Sequence, residues 1–498
     1  MGTGGRWRVR GAARGVLMAT VLAGCGGDSG TAPAGDAMRV QRMTPAARSV
    51  SAGPGPVTLL FDRPVRRDSV VVGRSLHVFA RASGNVRGSV AFADDDRALV
   101  FTPARPFAAG EMVTVLVSRD VRGADGVRLG PGGFSAQFWT RAAAAPATFT
   151  EIERHSTRPS PAIPSRAYGG QATDLDGDGD ADLAIVNEDS FDLVVFLNRG
   201  GGTFAPTGER FALGRRASPS EAGDFDRDGM TDIAVANIND GTVTVLLGRG
   251  DGGFRSPQVV AVGATPRGIA ALDVDGDADF DLATTSFGED DVAILVNDGG
   301  TFRVASRIDS GLRGEWAIAA ADMDEDGLLD LVVGSRTADE VAVLRNQGNG
   351  SFIPLGRGAA GGGPWMLVTG DLDRDGHDDV AVVNGTSDTA AVLRGDGRGG
   401  FGPAAVQAVD PFALASDLGD LDGDGDLDWL TSSYSGDWRL FENREGVLVM
   451  AQELAPREAA SCALLFDADG DGDVDLALID EEADEVIVMR NGGGPRLR

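Results

Sequence analysis

At 498 residues, with 42% apolar side chains, the chain is too long for one ordinary domain and too apolar for a disordered one. Its 75 acidic residues outnumber 45 basic ones, all of them arginine, for a formal charge of −30, which excludes nucleic acid as a partner because phosphates would be repelled. The 72 glycines and 22 prolines call for many turns, as in an all-β chain of short strands.

Residues 1–24 read as an export signal. Arg6, Arg8, Arg10 and Arg14 make a positive start, and "GVLMATVLAGC" is an apolar stretch too short to span a bilayer. Its "LAGC" end resembles a bacterial lipobox, which implies cleavage before Cys25, lipidation of that sulfur and anchoring to the cell envelope, at the outer membrane or cell surface. Loss of four arginines and no acid takes the charge from −30 to −34. The other cysteine, Cys462, has no partner, so no disulfide framework stiffens the exported chain.

Residues 25–40 are small and polar and read as a flexible tether. From 41 to 141, short alternating runs such as "VTLLFDRPV", "ALVFTPARPFAAGEMVTVLV" and "GFSAQFWT" are separated by Pro, Gly and Asp turns, the pattern of a small β-sandwich. The order of these runs resembles bacterial Ig-like domains. Residues 142–146 form a linker, and the periodic part runs from 147 to 498.

In that part the motif D-x-D-x-D-[GA]-x-x-D returns seven times at intervals of 47 to 50 residues. Positions 1, 3, 5 and 9 are aspartate in every copy. They are Asp174, Asp176, Asp178 and Asp182; Asp224, Asp226, Asp228 and Asp232; Asp273, Asp275, Asp277 and Asp281; and Asp322, Asp324, Asp326 and Asp330. The last three sets are Asp371, Asp373, Asp375 and Asp379; Asp420, Asp422, Asp424 and Asp428; and Asp467, Asp469, Asp471 and Asp475. Carboxylates about 4 Å apart repel by roughly 4 kcal/mol at an effective dielectric near 20, so each loop calls for a neutralising ion. An all-oxygen set suits Ca²⁺, up to seven in all, whereas zinc would want His or Cys and the chain has three His. Position 7 is Asp180, Met230, Asp279, Leu328, His377, Asp426 or Asp473, so its expected contribution is the backbone carbonyl. Position 6 is Gly except for Ala278, which marks the third loop as the weakest site.

Each period holds four short β runs, as in a propeller blade. The last period lacks its fourth run, while "ATFTEIERHS" at 147–156 looks like a fourth run without a blade. Pairing the two closes a seven-bladed ring with no free edge. An EF-hand is rejected because position 12 of the first copy, Ile185, falls in a strand. The repeats resemble the FG-GAP/VCBS family, which includes the calcium loops of integrin α-subunit propellers.

Six residues before the motifs, where each innermost strand begins, stand Tyr168, Ser218, Arg267, Trp316, Trp365, Leu414 and Ser461. Tyr168, Arg267, Trp316 and Trp365 are candidates for binding a protein or glycan on the face away from the acidic loops. Packing at the channel rim is the other reading of these aromatics. The acidic 2–3 turns "NEDSFD", "SFGEDD" and "DEEADE" read as solvated. Only His155 is left free for catalysis, and no nucleophile triad can be assembled, which favours an adhesion or binding module over an enzyme. A polysaccharide lyase or hydrolase working with carboxylates alone, or a structural role in an envelope assembly, stays open.

Overall fold

The computed structural model describes residues 37–50, 52–455 and 458–492. The leader, Cys25 and residues 26–36 of the tether lie outside them. The described chain is all-β, with one short 3₁₀ turn at Arg67–Ser69.

The N-terminal part is a sandwich of two four-stranded sheets. One orders Val40–Thr44, Val57–Phe61, Ala98–Pro103 and Gly88–Ala93; the other orders Gly84–Asn85, Leu76–Ala80, Met112–Val117 and Phe134–Trp139. Alternation does what it should: Val57, Leu59 and Phe61 point into the core, and Gly88–Ala93 alternates at the surface. The tether ends earlier than expected, because Met38 is fully buried in this core.

Beyond residue 150, seven four-stranded antiparallel sheets follow one another around a ring, each meander running from the axis outward, which makes a β-propeller. The innermost strands are Ala167–Thr173, Ala217–Gly223, Pro266–Leu272, Glu315–Ala321, Pro364–Gly370, Ala413–Gly419 and Ala460–Phe466. Each packs on the next, and the last packs on the first. They carry small residues where walls converge: a Cβ on Gly170 would lie 2.6 Å from the Ala184 carbonyl oxygen. The second strands, such as Asp182–Asn187 and Asp330–Ser335, are buried throughout, since neighbouring sheets cover both their faces. Fourth strands such as Phe302–Ile308 alternate towards solvent. The seventh sheet takes its outer strand, Thr150–Ser156, from the start of the repeat region, paired antiparallel with Glu485–Arg490. Arg154 clamps that seam through Glu485 at 2.6 Å.

The sandwich sits on the face of the ring that bears the acidic loops. Backbone bonds join Asp174 N to the Ala82 carbonyl (2.8 Å), Arg119 N to the Gly276 carbonyl (2.7 Å) and Ser135 N to the Gly327 carbonyl (2.7 Å). Ala145 N donates to the Asp422 carbonyl and Ala143 N to the Gly472 carbonyl, so five of the seven loops are bonded to this domain or its linker. Arg81 reaches into the channel and holds Asp417 with two bonds of 2.7 Å.

Candidate metal centres and the channel mouth

Each acidic loop joins the first and second strands of a sheet and is shaped by its own backbone N–H groups. In the first loop Asp174 accepts from Gly177 N and Gly179 N, Asp176 from Asp178 N, and Asp178 from Asp180 N. The position-9 aspartate opens the second strand. Asp182 accepts from Leu175 N on one oxygen and Asn198 N on the other, and Asp330 and Asp475 repeat this with Met323 and Asn346, and with Ala468 and Asn491. These bonds need left-handed backbone at positions 4 and 6: Gly177 and Gly179 have φ of 81° and 99°.

The result is convergence of carboxylates. Oxygens of Asp174, Asp176 and Asp178 lie within 4.8 Å of one another, as do those of Asp224, Asp226 and Asp232; Asp273, Asp275 and Asp281; Asp322, Asp324 and Asp330; and Asp371, Asp373 and Asp379. Burial pushes Asp182, Asp232, Asp330, Asp428 and Asp475 up to about 8, so without a cation these loops would hold protons at neutral pH. Asp224 Oδ1, Asp275 Oδ1 and Asp324 Oδ1 are buried with no hydrogen-bond partner. Hard, crowded, partly orphaned oxygens fit a divalent cation of the calcium type.

Position 7 divides the loops. Its N–H donates to position 5 in every copy, from Asp180 N on Asp178 to Asp473 N on Asp471. In three copies the side chain also turns inward: Asp279, Asp426 and Asp473 are buried, and each leaves Oδ1 without a partner. A carboxylate oxygen is therefore available there beside the backbone carbonyl that sequence reasoning expected. The His377 ring is drawn instead to Glu325 of the preceding loop, 2.5 Å away.

Three sets of residues went unread in the sequence. Arg227, Glu325 and Arg374 occupy the left-handed position 4 (φ 59°, 61° and 63°) and each reaches the following loop, Arg227 to Asp277 and Asp279, Arg374 to Asp424 and Asp426. Asn198, Asn297, Asn346, Asn443 and Asn491 end third strands, and each Nδ2 donates to a carbonyl of its own loop and to one in the loop of the preceding sheet. The recurring Asn before the Gly-rich turn was the available signal. Finally, Arg255, Arg345 and Arg394 press on loop carboxylates, Arg394 reaching the triad member Asp379 at 2.5 Å.

Ala278 adopts φ 67° as expected. Its methyl is fully buried beside Phe79 and Phe280, so the left-handed strain of about 1 kcal/mol meets a burial gain of about 0.8 kcal/mol for one methyl. The strain that marked the third loop is therefore largely offset by burial of the methyl.

On the opposite face the innermost strands begin around the channel mouth. Trp316 and Trp365 pack with ring centres 4.5 Å apart and planes tilted by 47°, the Arg267 guanidinium lies 4.1 Å over Trp316, and Trp365 Nε1 donates to Tyr168 Oη at 3.4 Å across the opening. The candidate residues thus meet, joined by Arg336, which covers both tryptophans at 4.6 and 4.8 Å. Trp316 is only 3% exposed, so it supports the cluster while Trp365 faces the opening. Leu414 and Ser461 are buried. Of the acidic turns, two are not simply solvated: Glu188, Glu481 and Asp484 are buried, Glu188 and Glu481 against Arg166 and Asp484 against Arg158, while Glu289 and Asp290 of "SFGEDD" are exposed as expected. Nor is His155 free, since its Nε2 meets Glu153 at 2.8 Å and its ring packs on Phe196.

The FG-GAP-like repeat family matches residues 174–235, 224–284, 273–333, 322–382, 371–431 and 420–478, and the bacterial Ig-like domain family matches 34–140. No curated protein matches the sequence. Among solved structures, the chain is similar to virginiamycin B lyase from Staphylococcus aureus at 10% identity and TM-score 0.48, over 69% of this chain and 99% of that one. It is also similar to BBS1N in complex with ARL6DN (13%, TM-score 0.49, 70% and 98%) and to a protein from Lactobacillus plantarum (15%, TM-score 0.45, 78% and 98%). Among the described residues no helix is long and apolar enough to cross a membrane.

Proposed function

Because the chain belongs to the FG-GAP-like repeat family, we propose that it is a calcium-stabilised binding module working outside the cell, tied to a bacterial envelope through a lipid on Cys25, with protein or glycan as its ligand. Calcium would be held by the aspartates at positions 1, 3, 5 and 9 with the position-7 carbonyl, and would supply the positive charge that lets these carboxylates stay ionised and close together. Its role is structural. In a chain whose described cysteine is free, cations in the loops would fix the seven hairpins, five of which are bonded to the sandwich or its linker.

The observation that carries the placement of the ligand is the docking of the sandwich on the acidic-loop face, which leaves the Tyr168–Trp365 mouth as the open end of the channel. A glycan array and a pull-down, both run with calcium, test the reading. Trp365→Ala should abolish capture while moving the melting temperature little. Normal capture by that variant would place the ligand elsewhere, and turnover of a polysaccharide would replace the binding reading with an enzyme.

A further inference from the structure

The channel is a blind chamber of about 300 Å³. Its floor belongs to the sandwich, through Arg81, Gln137 and Trp139, and its mouth to Tyr168, Arg267 and Trp365. The size sits at the lower edge of small-ligand sites, which run to roughly 300–1,000 Å³, so it admits one sugar-sized group and no through-running chain.

Charge is unevenly satisfied around that mouth. Arg166 and Arg216 are engaged by Glu188 and Glu481, and Arg81 on the floor is fully used by Asp417. Arg267 and Arg336 differ. Each lies over tryptophan, and among the described residues no carboxylate comes within ion-pair distance of either. Arg267 Nε is buried without an acceptor, and burial lowers the group to about 10. In a chain of charge −30, two neighbouring guanidiniums that make no ion pair lack an anion of their own. Deeper in, the walls carry Gln171, whose Nε2 donates to the Ser220 carbonyl and hydroxyl, and Glu221, a polar set whose one carboxylate disfavours a second acid.

Resting on the reading that this mouth binds ligand, we propose that the ligand is the end of an acidic glycan. A terminal uronic-acid residue enters the chamber with its carboxylate against Arg267 and Arg336 and its hydroxyls towards Gln171, Ser220 and Glu221. Entry replaces the 3.4 Å contact between Trp365 and Tyr168. The sandwich floor makes this recognition of a chain end and not of a chain interior.

The test uses the calcium-loaded full chain, tryptophan fluorescence and calorimetry, with trigalacturonate, its neutral methyl ester and galacturonate chains of three to ten sugars as probes. The acid should bind at least about 10-fold more tightly than the ester, with one protein per chain at every length. Arg336→Gln, at a partly exposed side chain, and Arg267→Gln should each bring the acid down to the ester's affinity. Equal binding of acid and ester, or several proteins loading one long chain, overturns the proposal. If the two forms bind equally and Trp365→Ala removes both, the mouth remains the ligand site and only its acidic specificity fails. If neither binds, the uronic-acid assignment falls, and capture by Trp365→Ala decides separately whether the face is right.

Discussion

Stripping the protein of divalent cations is the decisive perturbation. In the loop of Asp224, Asp226 and Asp232, three carboxylate oxygens lie within 4.8 Å of one another. Each ionised pair costs at least about 3 kcal/mol at an effective dielectric of 20, so one triad costs about 10 kcal/mol and five such triads about 50 kcal/mol. Folded domains are stable by only about 5–15 kcal/mol, so the loops cannot all be bare and ionised in a folded chain. One site filled at a hundred times its Kd contributes about 2.7 kcal/mol, and seven contribute about 19 kcal/mol. At roughly 1–2 °C per kcal/mol for a chain of this size, chelation at pH 7.5 should lower the melting temperature by about 20–40 °C. Differential scanning fluorimetry with millimolar calcium and after chelation measures this. Acid should partly rescue the stripped protein: the position-9 aspartates rise from 3.8 to about 8 on folding, so the folded loops take up protons first, and stability falls as pH climbs between those values. A melting curve that moves by less than about 3 °C on chelation, with no gain at low pH, refutes the metal reading.

Four further outcomes are expected. His77 is buried between the sandwich and Phe280, and burial lowers it from 6.5 to about 4. Its contribution is complete above pH 6.5 and falls by about 3 kcal/mol as pH drops towards 4; His77→Phe in the calcium-loaded protein should flatten that part of the urea-midpoint profile. Asn346→Ala removes two donor bonds of 3.1 Å to the Asp273 and Leu329 carbonyls and should cost about 2–4 kcal/mol in urea unfolding, with Asn346→Asp worse because it sets a carboxylate against both oxygens. Arg394→Met frees Asp379 and should tighten the fifth loop for calcium by about 10-fold in a terbium-competition titration; unchanged affinity would mean that the guanidinium does not compete. Ala278→Gly should change stability by less than about 0.5 kcal/mol, since strain relief and the lost methyl oppose each other.

What could be read in advance was whatever repeats locally. The aspartate spacing, the four β runs per period and the unmatched run at 147–156 are all visible within one 50-residue window, and the last predicted its own pairing with Glu485–Arg490. Contacts between distant residues were not legible. Arg81 and Asp417 are 336 positions apart, and nothing in "FARAS" or "ASDLG" marks them as partners. The same limit hid the position-4 arginines, whose partners stand 50 residues on, and made Glu188 and Glu481 look solvated when arginines of another strand bury them. Trp316 was placed in the right ring, but its burial depends on Phe287, Arg267 and Arg336, which arrive from two sheets.

The two faces of the ring divide the work because of strand direction. In every sheet the first strand ends in the acidic loop and begins at the mouth, so charge gathers on one side by construction. A face crowded with carboxylates repels an anionic partner, and here that face is bonded to the sandwich through backbone groups that need no complementary charge. Among the described residues, only Arg48, with Asp322 and Asp378, and Arg81, with Asp417 in the channel, add ion pairs between the two parts. Around the opposite mouth Glu481, Asp484 and Glu188 are paired with Arg166, Arg158 and Arg216, and two guanidiniums are left over tryptophan. The 28 motif aspartates lie on the far side, where calcium would cancel their charge, and that favours the approach of an anion to the mouth.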